Sequence, residues 1–142
     1  MLENATIAWD YFDHLAFVAH RPGALVASDF DAYLDDMLSC AELRGVVVRG
    51  SEGAPNPNQR ERIHRWLAQS NRRGAVLTDS VLTRGGVTAL RWFGLPIRAF
   101  PIGELQGALA FVGIEASKLE HAQECLERVI VVADTLARAS VA

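Results

Sequence analysis

The sequence predicts an α/β domain with a mixed, mainly parallel central sheet of about five strands, flanking helices and a long helix at the C-terminal end. Three observations carry that prediction. A strand-loop-helix unit occurs twice in succession, as GVVVRGSEGAPNPNQRERIHRWL over residues 45–67 and GAVLTDSVLTRGGVTALRWF over residues 74–93. In each unit a short apolar run stops at small polar residues and a helical pattern follows, the order from which parallel sheets are built. Ahead of these units two strand-like segments lie close enough together to form a hairpin, and behind them apolar residues recur every three or four positions to the end of the chain.

Ala5 to Trp9 and Leu15 to His20 read as the paired strands, with the polar stretch Asp10 to His14 as their connection. Arg21-Pro22-Gly23 breaks the pattern. Ser28, with Asp31 three positions on, then signals the start of a helix. Phe30, Tyr33, Leu34, Met37, Leu38 and Ala41 follow at helical spacing, so this helix is expected to run to about Leu43 with Asp29, Asp31, Asp35 and Asp36 mainly toward water. Val46-Val47-Val48 is an unbroken apolar run, the mark of a strand covered on both faces. Asn56 with Pro57 and Gln59 opens the second helix as a capping box, and Ile63, Trp66 and Leu67 supply its buried stripe. Ala75-Val76-Leu77 repeats the central-strand pattern, Asp79 or Ser80 caps the third helix, and Leu95-Pro96 ends it. Ile97 to Phe100 is a last strand, Glu104 to Val112 a short helix, and Ser117 to about Arg138 a long one. The seam of the long helix, including Leu119, Leu126, Val129 and Leu136, resembles the start of a coiled coil and is the expected oligomer interface.

At 142 residues with a net charge of −3, the chain is long enough to bury a substantial core without staples. Cys40 and Cys125 have no CxxC partner and lie on apolar helical faces, which points to reduced thiols and a cytoplasmic setting. The amino terminus lacks a basic-then-apolar leader, and the longest purely apolar runs are around five residues, so no membrane span is expected. Charge is segregated. Residues 1–43 carry eight acidic side chains against Arg21, whereas residues 44–98 carry ten arginines against Glu52, Glu61 and Asp79. A basic middle suits nucleic acid, but Arg60, Arg62 and Arg65 have no interleaved exposed aromatics, and the acidic first helix is placed to neutralise them. Nucleic acid is therefore not the expected partner.

No catalytic residue, metal ligand set or cofactor motif is assigned. The four histidines show no HxH or HxxxH pairing. Arg49-Gly50-Ser51-Glu52-Gly53 has the wrong spacing for a nucleophile elbow and lacks the lysine of a P-loop. Ser51 and Ser80 nevertheless stand where helices follow central strands, and with Asp79 and Arg84 they form the candidate binding or phosphorylation edge. Gly85-Gly86, early in the third helix, costs about 1 kcal/mol per residue relative to alanine, so either the helix starts after Gly86 or a neighbouring backbone approaches there.

The order of elements and the stretches GVVVRGSEGAPNPNQR, AVLTDSVLTRGGVTALRWFG and IRAFPIGELQGALAFVGI resemble the STAS-like domains, named for sulfate transporters and anti-sigma-factor antagonists, in a bacterial branch. The resemblance covers residues 5–114 and leaves 115–142 as an added helix that packs on the domain or on a second chain. It implies regulation by protein binding, switched in some members by phosphorylating a serine that follows the central strand. Topology points to Ser51 for that role and local text to Asp79-Ser80. The family's aspartate-serine-serine-glycine run is absent at both. A related lipid-carrying branch shares the layout, but a chain of this length offers little room for a lipid cavity. The expected function is a non-catalytic cytoplasmic interaction or regulatory module, self-associating and binding an unknown protein partner. The alternatives are a phosphorylation-switched or small-anion-binding regulator using the Ser51/Ser80 edge, and an enzyme whose site assembles only in the fold.

Overall fold

A computed structural model describes residues 1–50, 52, 54–92 and 94–139, with Trp92 and residues 137–139 described by backbone alone. Six strands form one sheet in sequence order: β1 (Leu2–Glu3), β2 (Ile7–Phe12), β3 (Leu15–His20), β4 (Gly45–Arg49), β5 (Arg73–Leu77) and β6 (Ile97–Phe100). The first three are antiparallel and β3 to β6 are parallel. The sheet is thus α/β, mixed and mainly parallel as expected, with the two-residue edge strand β1 in addition.

The hairpin is longer than its sequence suggests. Strand β2 continues through Phe12, and the turn is only Asp13-His14, both at positive φ (53° and 60°), the geometry of a two-residue hairpin loop that follows the strand twist. Asp10 is tolerated inside the strand because its carboxylate lies 3.8 Å from the Met1 amino group and 3.8 Å from the Arg128 guanidinium. Phe12 stacks on His121 at 4.3 Å. The polarity of this stretch serves contacts with the far end of the chain.

Helices α1 (Ala27–Leu38), α2 (Pro57–Gln69) and α3 (Val81–Trp92) cover one face of the sheet, while α4 (Leu105–Phe111) and α5 (Leu119–Ala139) cover the other. Strand alternation sorts the side chains: Leu15, Phe17 and Ala19 of β3 face α4 and α5, and Ala16, Val18 and His20 face α1 to α3. Gly45 is required where β4 begins, because a Cβ there would collide with the Arg73 carbonyl. The second helix has the predicted capping box between Asn56 and Gln59.

Helix α1 departs from expectation at both ends. It is entered through Val26 without a side-chain cap, so Ser28 does not cap it, and it stops at Leu38. Leu43 is buried in the connection to β4. Its acidic residues are also not simply solvated. Asp36 Oδ2 accepts from Trp9 Nε1 (2.8 Å) and the Tyr11 hydroxyl (2.5 Å), Asp29 from Thr6 (2.8 Å), and Asp31 from Gln59 (3.0 Å). These carboxylates fasten the helix to the sheet and to α2.

Helix α5 follows a 3₁₀ turn at Ala116–Lys118 and lies on β2 and β3 of its own chain. Ala122, Leu126, Val129 and Ala133 have no solvent exposure and meet Ala8, Phe17 and Ala19 in one cluster, with Leu119 packed at its margin. Burying such a leucine contributes about 1.5–3 kcal/mol. Polar contacts pin the turn that leads into the helix, Lys118 to Asp13 at 2.8 Å, and the helix itself, Asp134 to Arg49 at 2.9 Å. Among the described residues, no helix is long and apolar enough to cross a membrane.

Candidate functional site

The C-terminal ends of the parallel strands gather the residues singled out above. Ser51 lies outside the described residues, as does Gly53. Ser80 caps α3: its hydroxyl accepts from Thr83 N (3.3 Å), and its carbonyl accepts the first helical bond from Arg84 N (3.0 Å). Asp79 does not cap. Its Oδ1 accepts from Ile102 N at 3.2 Å, tying the turn after β6 to the start of α3. Thr78 Oγ1 accepts from Ser80 N at 3.0 Å. The Arg84 guanidinium reaches back to the Asp79 carbonyl at 3.3 Å. Asp79, Ser80 and Arg84 are therefore together, while the convergence with Ser51 falls outside the described residues.

Between Ser80 and Arg84 the surface changes character. Val81 and Leu82 are each 80% exposed, and Ile102 across the turn is 44% exposed. Large apolar side chains standing out of a helix's first turn gain nothing from folding of this chain, which makes them the edge's most informative feature. Gly85 and Gly86 are both inside α3, so the helix does not start after them. No backbone approaches them either, because a Cβ at either position would meet nothing within 4 Å. Gly86 is exposed and also borders a cavity beneath the helix.

That cavity, of about 210 Å³, lies between the sheet and helices α1 to α3. Val46, Val48 and Val76 form its floor, Phe30, Tyr33 and Met37 one wall, and Ile63 and Trp66 of α2 another; Leu82, Gly86 and Leu90 of α3 complete it. It opens under the edge where α3 begins, and Leu82 belongs both to its lining and to the exposed surface.

Two polar groups in the lining were not singled out from the sequence. His20, the last residue of β3, is 4% exposed, with its ring 5.4 Å from Phe30 and 6.5 Å from Tyr33. Burial, and then the charge of Arg49, push its imidazole down to about 4, so it is neutral near pH 7. Trp66 is 4% exposed, and its indole Nε1 is a buried side-chain donor without a hydrogen-bond partner among the described residues. The signal for His20 was available: it follows Ala16 and Val18 at period two on a helix-covered face. The state of the Trp66 N–H had no counterpart in the sequence.

The basic middle of the chain is largely consumed internally. Arg72 donates to the carbonyls of Leu43 (2.8 Å), Trp66 (3.0 Å) and Ala41 (3.0 Å) and lies 4.7 Å over the Trp66 ring. Arg49 donates to the His20 carbonyl at 2.6 Å while pairing with Asp134. Arg62 meets Asp35 at 2.6 Å and Asp31 at 3.8 Å, the neutralisation by the first helix that the charge pattern implied. Cys40 and Cys125 are both unpaired. Burial and the nearby Asp10 carboxylate push the Cys125 thiol up to about 11, which suppresses the reactive thiolate. Among the described residues, no group of three or more His, Cys, Asp or Glu side chains is arranged to hold a metal ion.

Neither a scan against protein-family models nor a search of curated proteins finds a match to this chain.

Proposed function

We propose that the chain is a STAS-like, non-catalytic regulatory module that works in the cytoplasm by binding another protein through the edge where α3 begins. The observation that carries this proposal is the exposed pair Val81 and Leu82, set between the Ser80 cap and Arg84 and flanked by Ile102. An apolar pair held on a capped helix turn presents a fixed surface, so a partner does not bear the cost of ordering it. The sheet order and the two unpaired thiols support the STAS-like and cytoplasmic parts of the proposal. The test is affinity capture from the source cells with wild type, Leu82→Asp and, as a surface control, Val131→Asp. Proteins retained by wild type and Val131→Asp are expected to be lost from Leu82→Asp; retention of the same set by all three refutes the assignment.

A phosphorylation switch at Ser80 is a second reading, favoured by one observation. The hydroxyl sits at a helix N-terminus with Arg84 one turn on, where a phosphate bringing about −1.5 to −2 charges would be held and would alter the adjoining surface.

A further inference from the structure

We infer that the outward face of α3 is a docking surface for an acidic amphipathic helix of a partner protein. The inference rests on the α3 edge being a protein-binding surface, and it extends that surface from the first turn to the whole helix. Helical periodicity lays the face out. Val81, Gly85 and Ala89 run along its centre at four-residue spacing. Leu82 and Gly86 lie on the margin toward α2, where they line the same cavity as Trp66, and Arg84 and Arg91 lie on the opposite margin. All of these positions are exposed. The shape suits a second helix. Glycine at position 85 costs helix stability relative to alanine, and nothing in this chain requires it, since an added Cβ would meet nothing within 4 Å. It leaves the backbone bare, and the distance between packed helices is set by the side chains at their contact, so a partner helix comes close there. Val81 and Leu82, each 80% exposed, stand beside the bare stretch for an incoming apolar stripe to cover.

Charge identifies the helix that fits. α3 carries two arginines and no carboxylate. Among the described residues, neither Arg84 nor Arg91 is paired with a carboxylate; Arg84 reaches only a carbonyl, that of Asp79 at 3.3 Å. On α2, Arg62 is held by Asp35 at 2.6 Å and Arg65 by Glu61 at 3.6 Å, whereas Arg60, which lines the same cavity as Leu82 and Gly86, donates to the Pro55 carbonyl at 3.1 Å. The arginine of α2 that borders this face is thus the one without a carboxylate. A helix with carboxylates on both sides of an apolar stripe meets Arg60 on one margin and Arg84 and Arg91 on the other. A second copy of α3 would instead set arginines against arginines. A lipid surface gains nothing from a bare glycine centre, and anionic headgroups would meet a chain of net charge −3.

The experiment uses the full chain and a displayed library of helical peptides of about 18 residues, or five turns, in which a leucine stripe is fixed and the flanking positions vary among glutamate, glutamine and lysine. Peptides selected by the wild-type chain are expected to carry glutamate at the flanks. The tightest of them is then titrated by fluorescence anisotropy. Arg84→Glu combined with Arg91→Glu is expected to weaken it at least about tenfold, and lysine in place of its facing glutamates to restore binding to that variant to within about threefold of the original pair. Gly85→Gln, which favours the helix while filling its bare centre, is expected to weaken the peptide at least about tenfold with a thermal midpoint no lower than wild type. Selected peptides with neutral or basic flanks whose binding is lost in Leu82→Asp overturn the inference and leave the edge a protein-binding surface. Selection of no peptide, or binding that none of the α3 variants alters, overturns it as well, and capture with Leu82→Asp then decides the edge by itself. Retention of the chain on phosphatidylglycerol vesicles, abolished by the paired arginine substitutions, overturns it in favour of a lipid surface.

Discussion

His20 makes the stability of this fold depend on pH in a way that can be calculated. The folded chain holds the imidazole neutral down to about 4, whereas an unfolded chain protonates it near 6.5. Above pH 6.5 both states leave it neutral and His20 contributes nothing to the difference. As pH falls below 6.5 the unfolded state takes up the proton and the folded state does not, so stability falls until the folded group titrates as well. At 1.36 kcal/mol per pH unit the full loss is on the order of 3 kcal/mol, of which about 2 has occurred by pH 5. With a urea m-value of about 2 kcal/mol/M, the latter is a fall of about 1 M in the unfolding midpoint. The assay is urea unfolding at pH 7.5 and pH 5 for wild type and His20→Phe. The variant keeps a ring beside Phe30 and Tyr33, while His14, His64 and His121, all exposed, contribute alike to both proteins. The wild type should lose about 2 kcal/mol more than the variant between the two pH values. Equal losses would show that His20 takes up its proton in place, and the neutral buried imidazole would be refuted.

Gly85→Ala should stabilise the chain by about 1 kcal/mol, since the position is helical and the added methyl meets nothing; a thermal midpoint raised by roughly 3 °C checks it. Leu126→Ala should cost about 2–5 kcal/mol, with a midpoint independent of protein concentration because the side chain is enclosed by its own sheet; concentration dependence would instead place it between chains. Ser80→Asp should leave the midpoint almost unchanged, since aspartate caps as well as serine, while altering partner capture; unchanged capture would reduce Ser80 to a cap.

The elements that could be read directly are those whose signals are local. The Asn56-Pro57-Gln59 box starts α2 as expected, and the apolar runs at Val46 and Ala75 are central strands. What misled were residues whose roles depend on distant partners. Asp10 looks like part of a turn until the Met1 amino group and Arg128 are beside it. Asp36 looks solvated until Trp9 and Tyr11 converge on it. The three-and-four spacing of Leu119, Leu126 and Val129 describes any helix with one apolar stripe, and it does not distinguish a sheet from another helix as the covering surface. For the candidate site, the Asp79, Ser80 and Arg84 group was legible because a strand end and a helix start are both local. The cavity was not, because it is bounded by seven separate elements and no one of them reveals that their packing falls short.

The two faces of the sheet differ in how completely they are filled, and the proposed binding edge lies on the less filled one. On the α5 face, small residues alternate with large ones: Ala8, Ala19, Ala75 and Ala122 against Phe17, Leu77, Leu126 and Val129, all with no solvent exposure. Close packing of this kind makes a face stiff and leaves it little to offer a ligand. On the other face, valines at Val46, Val48 and Val76 floor a cavity of about 210 Å³ beneath α3. The rigid face fixes the strands, so the open face keeps its shape although α3 carries two glycines and an exposed first turn. A partner docking on Val81 and Leu82 would then meet α3 and not the sheet. Sensitivity is thereby confined to the helix that bears Ser80, Val81 and Leu82, which is the placement a binding module needs if occupancy is to change its surface without costing it its fold.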